Sequence, residues 1–203
     1  MGALAQPVEA LTIATRLDSR PPTLLPPGTW EVDAERSTVG FEVRHLKISR
    51  VRGRFRQVSA VVSCAGDGAV SIEASIGVAS IDTGDLKRDA RLRAEDFFDA
   101  EHHPTACFRG AAPPMAGGDV LAVRGELTLR GATRPLELLA EPSRAGDVES
   151  EDERWIRAHG IVSRRDFGLD WDSAFAAGGL VIDDRVALRL DVALRRAMPT
   201  GLR

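Results

Sequence analysis

The sequence predicts an all-β fold, an antiparallel sheet closed on itself or folded into a sandwich, with one helical insertion. Three observations carry this. Apolar residues recur at every second position along several segments, the period of a strand with one buried and one solvated face. Short links separate most of those segments, as expected for hairpin-connected strands. One stretch, from Thr83 to Pro104, abandons the alternation and carries many charges with little β-branching.

In chain order, Val39, Phe41, Val43 and His45 alternate with Thr38, Gly40, Glu42 and Arg44. Val70, Ile72, Ala74 and Ile76 form the next such face. Leu121, Val123, Gly125, Leu127 and Leu129 form another, and Val186, Leu188, Leu190, Val192 and Leu194 the last. Further strands are expected at 51–64, 105–110, 133–141 and 154–163, making about eight in all. Within the irregular stretch, Leu86, Ala90 and Ala94 fall at four-residue spacing, which predicts a helical insertion at about 84–100. Thr83 is placed to cap it and Asp85 to complement its positive end. Phe97 and Phe98 follow, and Pro104 stops the segment. Such an element can plug or lid one end of a barrel.

The first 29 residues hold five of the eleven prolines and no basic patch ahead of an apolar run. Residues 1–28 are therefore expected to be a flexible Pro-rich tail without a secretory signal. The domain is expected over 29–197, with a short C-terminal tail at 198–203. Gly146 to Arg154 holds five acids and one arginine, the composition of a solvated hairpin loop.

Composition narrows the function. The formal net charge is −3, so the arginine-rich chain has no general cationic field to drive nucleic-acid binding. No run of apolar residues is long enough to span a membrane. Cys64 and Cys107 lie in no Cys-x-x-Cys pair and are expected to be inert core thiols in a reducing compartment, which predicts a cytoplasmic location.

Catalytic signatures are missing. The sequence has no Gly-rich phosphate loop, no Gly-x-Ser-x-Gly elbow and no His-Glu-x-x-His. His102 and His103 are adjacent and on a strand would face opposite ways, so no metal site is expected. His159 reads as a surface residue. His45 continues an apolar face, either as a satisfied core histidine or as a polar group fixing a ligand's head. Arg88-Asp89 reads as part of a salt-bridged helix face, and Arg164 and Asp166 as charges pinning a corner beside Phe167 and Trp171.

The order of short motifs resembles that of the YceI-like family of polyisoprenoid-binding, lipocalin-like proteins, over about residues 29–195. Trp30-x-Val32-Asp33, Ser37-x-Val39-x-Phe41-x-Val43-x-His45-Leu46 and Val51-Arg52-Gly53-x-Phe55 open the pattern. Ser80-Ile81-Asp82-Thr83-Gly84, Arg88-Asp89-x-x-Leu92, Asp96-Phe97-Phe98-Asp99 and His103-Pro104-Thr105-x-x-Phe108 continue it. Gly125-x-Leu127-Thr128-Leu129-Arg130-Gly131-x-Thr133-Arg134-Pro135, Ser163-Arg164-x-Asp166-Phe167-Gly168-Leu169-x-Trp171 and Val186-x-Leu188-x-Leu190 close it. The resemblance implies an antiparallel eight-stranded lipocalin-like barrel with a helix beside it, often dimeric, that holds a long lipid in an internal tunnel and is not an enzyme.

The expected tunnel residues are Val39, Phe41, Val43, His45, Ile72, Ile76, Phe97, Phe98, Phe108, Leu127, Leu129 and Trp171. Arg52, Arg88, Asp89, Arg164 and Asp166 are expected at a polar mouth or in structural roles. The expected ligand is a polyisoprenoid or quinone-like lipid, with no other cofactor, and the expected partner is a second copy in a homodimer. Two alternatives remain open: an enzyme using His45 with a carboxylate such as Asp89 on a hydrophobic substrate, and a packed-core interaction module without a ligand.

Overall fold

The computed structural model describes residues 24–45, 49–115, 119–143, 150–170 and 182–198, with the side chain of His45 excepted. The strands are β1 Gly28–Val32, β2 Thr38–His45, β3 Ser49–Phe55, β4 Val58–Cys64, β5 Val70–Gly77, β6 Ile81–Asp82, β7 Thr105–Ala112, β8 Leu121–Leu129, β9 Ala132–Pro142, β10 Glu153–Ser163 and β11 Ile182–Arg196, with one helix, α1, at Leu86–Arg93. Strands β1, β4, β5, β7, β8, β9, β10 and β11 hydrogen-bond in that order, and β11 returns to β1, closing an eight-stranded antiparallel barrel.

Strand β11 makes the closure possible through its length. Its last residues pair with β1 (Val32 opposite Leu194), while 182–191 pair with β2. β1 and β2 thus share one edge of β11 end to end. The expected single strand at 51–64 is likewise two strands, β3 and β4, broken at Arg56-Gln57. There the chain changes partners, from β2 and β6 to β1 and β5. Ser80 fills the interrupted ladder: its Oγ accepts the Arg56 and Gln57 backbone N–H groups at 3.1 and 3.0 Å. A side chain standing in for a carbonyl leaves no period-two signal, which is why the break does not show as one.

The helix is shorter than expected, and its cap is Asp85. The carboxylate accepts the Lys87 and Arg88 N–H groups, and the helix ends at Arg93. Residues 94–104 form turns, with Asp99 at φ 48°. Between β8 and β9, Arg130 and Gly131 have φ values of 50° and 74°, the pairing that matches a two-residue hairpin to strand twist. Arg130 then reaches across, donating to the carbonyls of Glu95 and Gly168 at 3.1 Å each.

One expectation is corrected here. Cys107 is exposed on β7, because it alternates with buried Ala106 and Phe108; Cys64 alone of the two thiols is buried. Leu25, inside the segment expected as a tail, is only 2% exposed and packs with the core.

Candidate ligand cavity

The inward faces of the barrel do not meet. They enclose a continuous cavity of about 780 Å³, within the roughly 300–1,000 Å³ typical of small-molecule sites. Its wall is aliphatic: Ile72, Ala74 and Ile76 of β5, Leu136, Leu138 and Ala140 of β9, and Leu188, Leu190 and Val192 of β11. Several of these inward side chains, Ile72, Ile76, Leu188 and Leu190 among them, are only half-buried although they point away from bulk solvent. They pack against the buried core on one side and face the lumen on the other.

Trp30 is fully buried, its indole Nε1 donates to the Pro26 carbonyl at 3.0 Å, and Arg196 and Arg154 lie over its ring. Leu24 and Leu25 line the cavity near it, and Cys64 Sγ donates to the Leu25 carbonyl. Burial, with the nearby Asp67 charge, raises the Cys64 pKa. The cavity opens beside α1. Among the described lining residues the exposed ones are Ser49, Arg50, Lys87 and Arg91, all at the β2–β3 hairpin or on α1.

Of the expected tunnel residues, Val39, Phe41, Val43, Ile72, Ile76, Phe97, Phe98, Phe108, Leu127 and Leu129 line this cavity. Phe97 and Phe98 are buried and pack edge to face, centroids 4.5 Å apart, with Phe98 reaching Phe55 at 6.1 Å. Trp171 and the side chain of His45 lie outside the described residues. Arg88 and Arg164 also line the cavity, whereas Arg52, Asp89 and Asp166 do not. Arg52 lies on the outer face, where its Nε donates to Glu42 at 2.9 Å. The Arg52 hydrogen bond, opposed by burial and reinforced by Arg50 and Arg189, holds the Glu42 pKa below the usual carboxylate value. Asp89 is buried under the rim, accepting from Thr83 N at 2.9 Å and Thr83 Oγ1 at 2.5 Å. Asp166 is exposed on the turn after β10.

Sequence reasoning missed the wall contribution of Leu24 and Leu25, and the rim cations Lys87 and Arg91. The walls from β9 and β10 carry the period-two signal that could have named them. Leu24 and Leu25 carry none, because they precede the first strand in a Pro-rich segment.

A family model for the YceI-like domain matches residues 30–194. The chain belongs to the YceI-like family. A UPF0312 protein of Vibrio cholerae is 34% identical over 112 residues, 54% of this chain and 59% of that protein. The match therefore spans less than two thirds of that relative's length. Protein YceI of Escherichia coli O157:H7 is 29% identical over 143 residues, 69% of this chain and 74% of its own. Among solved structures, Burkholderia cenocepacia BcnA superposes with a TM-score of 0.68 at 24% identity, covering 80% of this chain and 98% of BcnA. A polyisoprenoid binding domain from Saccharophagus degradans gives a TM-score of 0.62 at 18% identity, covering 83% and 98%. These likenesses establish a shared barrel fold. No helix among the described residues is long and apolar enough to cross a membrane.

Proposed function

We propose that this YceI-like barrel binds a polyisoprenoid or similar long-chain amphiphile in its cavity and carries, stores or sequesters it without catalysis. The observation that carries this reading is the continuous aliphatic lumen, with Leu24 and Leu25 in its wall and exposed residues only beside α1 and the β2–β3 hairpin among the described ones. A slender chain fills such a lumen without needing specific polar contacts. Ten methylene-sized groups gain about 8 kcal/mol at ~0.8 each, roughly micromolar affinity before ordering costs are deducted. The polyisoprenoid-binding designation of the Saccharophagus degradans domain supports the ligand class. The carboxylate suggested for an enzymatic role, Asp89, is committed to Thr83 and absent from the wall, which favours binding over turnover. A cytoplasmic location and a homodimer complete the proposal.

Native mass spectrometry after gentle purification tests it, together with uptake of a labelled polyprenyl quinone. Expected are an adduct of lipid mass and saturable uptake that Ala74→Trp, which fills the lumen, abolishes. A bare polypeptide mass with no uptake would sink the proposal.

A further inference from the structure

The charged residues of the cavity wall are all of one sign. Among the described lining residues the ionisable ones are Arg50, Lys87, Arg88, Arg91 and Arg164, with no carboxylate. Two of these are occupied elsewhere. Arg50 sits on the outer face, where Nη1 donates to Glu42 Oε1 at 3.1 Å. Arg164 is 4% exposed and is held by the carbonyls of Leu169, Ile182 and Asp183.

Helix α1 supplies the other three. Lys87 and Arg91 stand four residues apart, hence on one helix face, and both are exposed at the opening. The Lys87 ammonium has no side-chain partner among the described residues. Arg91 pairs with Asp96, but both are about half exposed, so water and a competing anion can reach them. Arg88 is fixed by Thr83, with Nε donating to Oγ1 at 2.7 Å and Nη2 to the carbonyl at 2.9 Å. Of the neighbouring carboxylates, Asp85 caps the helix with its charge felt by Lys87 and Arg88, and Asp89 is bound to Thr83, while neither lines the cavity.

We propose that the amphiphile in this cavity carries an anionic headgroup, a carboxylate or a phosphate monoester, seated against Lys87 and Arg91 with its chain running into the aliphatic lumen. The inference rests on the cavity being a lipid site and adds the headgroup chemistry. An anion at this depth keeps part of its hydration and escapes the penalty for burying a charge outright. It also gains charge-assisted hydrogen bonds, strongest with a guanidinium. A cationic headgroup would be repelled at the same place.

The test compares three ligands of one chain length, geranylgeraniol, geranylgeranoic acid and geranylgeranyl phosphate, by titration calorimetry at low and high salt. The proteins are the wild type and a Lys87→Gln/Arg91→Gln double variant whose fold is checked by circular dichroism. In the wild type at low salt an anion should bind about tenfold tighter than the alcohol, ~1.4 kcal/mol. That preference should shrink at high salt and collapse in the double variant. A gain limited to the acid assigns a carboxylate, and one limited to the phosphate assigns a phosphate. If all three bind alike, or the preference survives in the variant, the headgroup inference falls while the cavity reading stands. If none of them binds, both fall.

Discussion

The Phe41 ring occupies the space that a side chain on Gly53, its cross-strand neighbour on β3, would need: a Cβ built on Gly53 would stand 2.3 Å from Phe41 Cζ. Phe108 does the same over Gly110, where the corresponding distance is 2.6 Å. Two of the largest side chains in the wall are thereby kept against the sheet, and the lumen between them stays open. A glycine beside an aromatic, across the ladder for Phe41 and two residues along β7 for Phe108, is a packing device here, since the missing side chain is the space the ring occupies.

Gly53→Val should therefore push Phe41 into the cavity or off its rotamer. Overpacking of this kind typically costs about 1–3 kcal/mol, read as a lower midpoint in urea unfolding. Lipid uptake should fall as well, because the displaced ring takes up lumen volume. Unchanged stability and uptake would mean that the wall relaxes around the new side chain and that the contact is incidental.

The same pair shows what the sequence makes legible. Alternation along 39–43, 70–76, 121–129 and 186–194 identifies the inward faces correctly, because a strand's period is two and one face must be apolar. Alternation cannot tell a filled core from a lumen, since both demand the same residues. The difference lies in where Phe41 and Phe108 rest their rings, and the glycines that receive them are silent in a hydrophobicity pattern. The rim is hard to read for another reason. Lys87 and Arg91 look like any solvated helix face until the fold places α1 beside the open end.

Stability at acid pH should depend on Asp33. Its carboxylate is buried on the turn after β1, while Arg195 and the Glu35 N–H reach it from either side. Burial works to raise its pKa, but the hydrogen bond and charge of Arg195, with backbone N–H groups, outweigh it and hold the pKa below the usual carboxylate value. A depressed folded-state pKa stabilises the fold above the unfolded value and loses that contribution as pH falls through the folded one. Wild-type stability should thus decline below about pH 4, and Asp33→Asn should be less stable at neutral pH with a flatter decline. Parallel pH profiles for the two proteins would contradict the assignment.

The two thiols should separate cleanly in a labelling experiment. Cys107 is exposed on the outer face of β7, and Cys64 is buried under Leu25 with its pKa raised by burial and by Asp67. Because the thiolate is the reactive form, a disulfide reagent should modify Cys107 rapidly in the native protein and Cys64 only after unfolding. Fast reaction of both would show that the segment carrying Leu24 and Leu25 opens in solution.

The rim depends on a short relay, from Arg88 Nε to Thr83 Oγ1 and from Thr83 Oγ1 to Asp89. Asp89 also receives the Thr83 backbone N–H, so this one buried carboxylate ties the start of α1 to the strand before it. Asp89→Ala leaves that N–H without its acceptor, at a cost of about 1–3 kcal/mol. Thr83→Val breaks the hydroxyl relay and keeps the backbone bond, so its cost should be smaller. In a double-mutant cycle the two losses should be non-additive, because both substitutions remove the same hydroxyl–carboxylate bond. Since α1 borders the opening, both variants should also release bound lipid faster than the wild type in a stopped-flow chase. Additive losses with unchanged release would separate the relay from the mouth, leaving Asp89 as an anchor for the turn alone.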